Sequence, residues 1–283
     1  SFFSEFKRRY TVVDVPGIAA EAAYYLILSI FPFFIVLLNL IQYTPMRGKG
    51  VIKGALEIMP VQIAELMTKI LSEIINDSSS ALLWISILIG VFSASRGMGA
   101  IIKGINKSFL VEQGRGLIKN RLYAFATTFL FIFIIIISIA GLVFGDIIIS
   151  KLFIRFNIPI EVKTIVDILK FIFISVTLAL SFTQLYYISP NVARKDKPKL
   201  RHSFIGGIFA TILWIVISNG FSFYINNFAS YSKTYGSLGG IIALIVWLNL
   251  TTNVIIVGAI LTGVLGAGQK NTIPIKKDGE PSL

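Results

Sequence analysis

Arg96 poses the first chemical question in this chain. It stands in Phe92-Ser-Ala-Ser-Arg-Gly-Met-Gly-Ala-Ile-Ile-Lys-Gly-Ile-Asn106, a stretch that begins inside a long apolar run. An arginine at the centre of a membrane helix costs roughly 2.5–3.5 kcal/mol on insertion scales, so it marks either a structural pair or a polar site. Glu21 is its candidate partner, because each residue falls toward the same, cytoplasmic end of its own apolar segment. Tyr24, Tyr25 and Leu28 share a helical face with Glu21 by three-and-four spacing. Ser93, Gly97, Ala100 and Gly104 are small enough to let a neighbouring helix come close. The two readings are a substrate-binding site built on Glu21, Tyr25 and Arg96, and a buried structural ion pair.

Other polar residues extend the candidate site. Asn106, Asn191 and the turn from Tyr187 to Val192 fall at cytoplasmic helix ends, where they either cap helices or line a mouth. Tyr231 and Tyr235 lie in a short polar joint between two apolar segments, a tight outer hairpin or the border of an outer opening. Asp146, Asp167 and Lys170 lie toward the opposite end and read as a structural charge cluster, with Asp167 and Lys170 one turn apart. No metal or cofactor site is expected, since the chain has one histidine (His202) and no cysteine, and its carboxylates are scattered. The same scarcity speaks against an enzyme. The basic run Arg194 to Arg201 lacks the aromatics that stack nucleic-acid bases, so no nucleic-acid partner is expected. Anionic lipid headgroups at the cytoplasmic face are its expected partners, worth about 1 kcal/mol per cation.

The elements that must position these residues are apolar helices. Of 283 residues, 55% are hydrophobic and 14% charged, with mean hydropathy +0.81. That much apolar surface exceeds what one aqueous core hides, and the runs approach 20 residues, the length of a bilayer crossing. The expected architecture is an all-α integral membrane protein with six transmembrane helices, at about 18–41, 81–105, 122–149, 164–188, 203–228 and 238–265. Pro32 predicts a kink in the first. Phe2, Phe3 and Phe6 beside Lys7, Arg8 and Arg9 suggest a short N-terminal interfacial helix, and Asp14 with Pro16 a helix start. No small-residue cleavage site follows those cations, so no cleavable signal peptide is expected. Residues 60–77 pattern as an extracytoplasmic amphipathic helix, and 269–283 as a flexible polar tail after a single domain over 1–268.

Charge sets the orientation. Fifteen lysines and arginines fall on the side that holds both termini and eight on the other, which places both termini in the cytoplasm. The net charge of +12 is the same asymmetry seen over the whole chain.

Several segments together resemble the YihY/BrkB family of bacterial membrane proteins. They are Ala20-Glu-Ala-Ala-Tyr-Tyr-Leu-Ile-Leu-Ser-Ile-Phe-Pro32, Ser93-Ala-Ser-Arg-Gly-Met98 with Asn106, Tyr187-Ile-Ser-Pro-Asn-Val192, Tyr231-Ser-Lys-Thr-Tyr-Gly-Ser-Leu-Gly239, and Gly258-Ala259. They occur in order across nearly the whole chain. The resemblance implies a multi-pass protein of the bacterial inner membrane with six spans. It also brings a transfer-RNA-processing ribonuclease label carried by some members, and an association of one branch with serum resistance. Two functions follow from the residues. One is a carrier or translocator of a lipid-like or amphiphilic anionic molecule, resting on Arg96 and the cationic inner surface. The other is a non-transporting scaffold or envelope-integrity factor that binds lipid or protein, including a second copy of itself as a homo-oligomer.

Overall fold

The structure, a computed structural model, describes residues 2–42, 68, 80–111, 116, 118–134, 161–192, 197–227 and 237–267. Every regular element among them is a helix. These are α1 (Phe2–Val13), α2 (Val15–Gln42), α3 (Ser80–Ser108), α4 (118–134), α5 (Glu161–Ile188), α6 (Leu200–Asn227) and α7 (Ser237–Ala267). Expectations at 60–77, Asp146, Tyr231, Tyr235, the outer half of the third span and the tail lie outside the described residues, Thr68 apart.

Four helices are long and apolar enough to cross a membrane, over Ile87–Ser108, Ile165–Ile188, Leu200–Ile225 and Gly239–Gly266. Taking α1 with α2 as one bent span raises the count to five. Six crossings is therefore more than the described residues display.

Local chemistry sets the helix ends. Asp14 stands at φ 56°, and its carboxylate accepts a hydrogen bond from Gly17 N at 3.3 Å. That caps α2, with Pro16 in the first turn where its missing N–H costs nothing. The bend of 48° between α1 and α2 falls at this joint. α2 then runs as one helix through Pro32. α3 closes with Val111 N donating to Asn106 O and Leu110 N to Lys107 O, the paired bonds of a Schellman end, around Leu110 at φ 57°. α5 ends where Ser189 N bonds Leu185 O and Pro190 follows.

α7 is the hub, packing against α1, α2, α3, α5 and α6, while α2 pairs with α3 and α5 with α6. The main core lies toward one end of the bundle. Val13, Val15, Ile102, Ile105, Tyr186, Ile256 and Ile260 are fully buried there. Two glycines permit this closeness. A Cβ on Gly104 would stand 2.5 Å from Ile256 Cδ1 and 3.0 Å from Ile18 Cγ2, and one on Gly258 would strike the Tyr186 hydroxyl. That hydroxyl donates to Ile255 O at 2.8 Å, so α5 reaches α7 through a buried hydrogen bond. Toward the other end the helices expose apolar faces: Trp84, Leu88 and Phe92 on α3, Ile165 to Ile174 on α5, and Ile242, Ile245 and Val246 on α7. A smaller cluster of Phe221, Ile225 and Ala243 joins α6 to α7 there.

Candidate functional site

The antiparallel pairing of α2 with α3 fixes who meets whom. Ile18 lies against Gly104, and Leu26 against Gly97. Each step forward on α2 is thus about one step back on α3. Tyr25 comes level with Arg96, and Glu21 with the turn that holds Lys103. Accordingly Arg96 Nη1 donates to the Tyr25 hydroxyl at 3.2 Å, and Lys103 Nζ meets Glu21 Oε2 at 3.1 Å. The expected pair of Glu21 with Arg96 does not form, because Lys103 occupies the carboxylate.

Arg96 is held by rings instead. Its guanidinium lies 5.5 Å from the Tyr25 ring centre and 5.1 Å from that of Phe92. A second arginine shares Phe92: the Arg121 guanidinium of α4 is 4.6 Å from that ring and 5.0 Å from Phe125. Arg96 is exposed on the flank of the bundle, near the middle of the apolar window Ile87–Ser108, and Phe92 is 48% exposed. The site is thus open sideways, where the packed end of the bundle gives way to the open end. Ring faces carry negative potential and hold a guanidinium without neutralising it, so positive charge stays available at this spot.

Asn106 and Asn191 come together at the packed end. Asn106 is buried, its amide donates to Ile102 O at 3.0 Å, and its Oδ1 accepts from Asn191 N at 2.7 Å. That bond ties the end of α3 to the turn after α5. Asp167 and Lys170 pair at 3.7 Å on α5, as their spacing suggests. His202 Nδ1, Ser189 Oγ and Ser203 Oγ are shielded and have no hydrogen-bond partner among the described residues.

Two arginines carry more than the sequence discloses. Arg121 reads as a loop cation, yet its guanidinium joins the Arg96 cluster. The one local signal is Phe125, a turn ahead on the same face. Arg9 reads as a headgroup cation but is buried. It bonds Glu5 Oε1 at 2.8 Å and Ser108 O at 2.7 Å, supplying positive charge to the end of α3. Gly263 leaves it room, since a Cβ there would stand 2.8 Å from Arg9 Nη1. Burial raises the Glu5 carboxyl, but the hydrogen bonds from Arg8 and Arg9 and their charges outweigh it, and the group rests below its usual value. Among the described residues no three histidines, cysteines or carboxylates gather as metal ligands.

Long apolar helices packed through glycines around a sideways-open cationic spot define a helical membrane protein. The family model described as Virulence factor BrkB matches residues 6–280, and the chain belongs to that family. The ribonuclease-like protein YfkH of Bacillus subtilis (strain 168) is 34% identical over 271 residues, 95% of this chain and 97% of that protein. A UPF0761 membrane protein of Pseudoalteromonas atlantica is 28% identical over 258 residues, 87% of this chain and 80% of its own. Another, of Aeromonas salmonicida, is 40% identical over 91 residues, about a third of each chain. No solved structure matches the chain.

Proposed function

We propose that this protein is a translocator of an amphiphilic anion in the bacterial inner membrane, with Arg96 as the group that receives the substrate's charge. The observation that carries the reading is an arginine near mid-length of an apolar helix, exposed on the flank of the bundle and held by Tyr25 and Phe92 rather than by a carboxylate. An intramembrane charge without an acid partner is retained for a task, since structural charges in membranes pair with one another. The exposure of Arg96 on the flank lets a lipid-like molecule reach it with the tail still in the bilayer. Six spans with both termini cytoplasmic complete the reading, and the packed end is then the cytoplasmic one. No catalytic step is part of it, and the ribonuclease-like name of the Bacillus relative is carried over to no residue.

The test is translocation by purified protein in vesicles, with a fluorescent anionic phospholipid and its zwitterionic counterpart as probes. The anionic probe should cross faster than in empty vesicles, and Arg96→Ala should slow it by about tenfold or more, the loss of roughly 1.4 kcal/mol of charge–charge binding. Rates equal to those of empty vesicles overturn the reading. Arg96-dependent binding without movement favours the non-transporting scaffold.

A further inference from the structure

Two guanidinium groups lie against one phenylalanine in this bundle. Arg96 and Arg121 both lie on Phe92, so their central carbons are no further apart than the sum of 5.1 and 4.6 Å. Partial burial and then the Arg96 charge push the Arg121 guanidinium below its usual value. Neither makes an ion pair among the described residues, and Glu21, the acid one turn from Tyr25, is engaged by Lys103. Arg121 Nη2 is shielded from solvent and has no hydrogen-bond partner among the described residues. Two like charges at close range beside apolar surface are stable when an anion lies between them.

We propose that Arg96 and Arg121 form one binding site for a phosphate monoester dianion, framed by the Tyr25, Phe92 and Phe125 rings. The inference rests on Arg96 being the anchor for an anionic substrate, and it adds both the second residue and the charge class. A monoanion, such as a carboxylate or a phosphodiester, leaves one guanidinium uncompensated. A phosphate monoester carries close to two charges at neutral pH, with three oxygens that two planar forks grip at once. Phe92 contacts both cations with one ring and so keeps them in the same neighbourhood. The same chemistry is offered by a lipid with a terminal phosphate and by free inorganic phosphate. The exposed apolar surface of Phe92 and Tyr24 beside the site suits the lipid.

The experiment measures binding to the full chain in nanodiscs by native mass spectrometry. Phosphatidic acid, phosphatidylglycerol and phosphatidylcholine are the probes, with inorganic phosphate as a competitor. Phosphatidic acid should bind about tenfold tighter than phosphatidylglycerol, the effect of one added charge. The preference should grow as pH rises through about 6, where the monoester loses its second proton. Arg121→Gln should abolish the preference of phosphatidic acid over phosphatidylglycerol. Arg121→Lys, which keeps the charge, should retain most of it. If Arg121→Gln fails to fold, the wild-type pH dependence decides alone. Equal binding of the two anionic lipids across that pH range overturns the dianion site while leaving the Arg96 reading in place. Anionic lipids that bind no better than phosphatidylcholine overturn both. Tight phosphatidic acid binding without translocation in the vesicle assay keeps the site and rejects the transport role. Displacement by millimolar inorganic phosphate rejects the lipid as the source of the group.

Discussion

An amide side chain buried at the end of a helix has little freedom to change partner, and Asn106 illustrates the consequence. Its oxygen holds the backbone of Asn191, partly buried, and its nitrogen the buried carbonyl of Ile102. Asn106→Ala leaves Asn191 N without an acceptor, so it should lower stability by about 1–3 kcal/mol, read as a lower melting temperature in detergent. Asn106→Asp keeps the acceptor but buries a charge, and should do no better. A melting temperature unchanged in the alanine variant would show that this bond holds nothing. The residue types that come together here are legible in the chain, since Asn106 and Asn191 both sit at helix ends. Their contact is not, because 85 residues separate them. The same limit explains Glu21. Arg96 and Lys103 are seven positions apart on α3, two turns along one face, so periodicity offers Glu21 either partner. Only the register set by Gly97 and Gly104 chooses Lys103. Asp167 and Lys170 needed no such register, being neighbours on one helix.

Helix ends show where sequence rules reach and where they stop. Asp14 with Pro16 announces α2, and Pro190 announces the stop after α5, because capping and proline geometry are local. At the end of α3 Asn106 signals a helix end, but no glycine marks the residue that turns the chain. Leu110 stands at φ 57°, a conformation that disfavours a side chain by about 1–2 kcal/mol and that glycine adopts freely. Leu110→Gly should therefore raise stability by about 1 kcal/mol, read as a higher melting temperature. A clear fall instead would mean that its contacts outweigh the backbone strain. α1 illustrates a second nonlocal device, the pinning of a short helix by Arg9 through the last carbonyl of α3. Glu5 supports that contact from within α1. Its carboxyl is held below its unfolded value near 4.5, so its contribution is complete above that pH and is lost as the pH falls through the lower, folded value. The wild type should lose melting temperature on acidification below about pH 4.5. Glu5→Gln should start lower at neutral pH and show a smaller loss, the two curves converging in acid. Parallel curves would mean that Glu5 contributes nothing to the fold.

For the molecule as a whole, composition disclosed the solvent and the helical class, and the order of the matching segments disclosed the family. The number of crossings is harder to read from either source, because α1 and α2 meet at 48° and a bent pair counts as one span or none. The absence of cysteine offers a direct measurement. Single cysteines introduced at Lys7, Lys119 and Lys199 should be protected from a membrane-impermeant maleimide in intact cells, and one at Lys53 should react. Labelling at Lys199 without permeabilisation would reject the proposed orientation. Across the bundle, α7 touches five other helices, and it follows all of them in the chain. A ribosome therefore releases α1, α2, α3, α5 and α6 into the membrane before the helix that fills the space between them exists. During that interval Ile18 and Gly104 lack Ile256, and Tyr186 lacks the carbonyl its hydroxyl will bond. The α2–α3 and α5–α6 pairs are complete before α7 is made, and the helix that joins the two pairs is added last. Damage to the Gly258 region should then be felt as failed biogenesis and proteolysis before it is felt as lost activity.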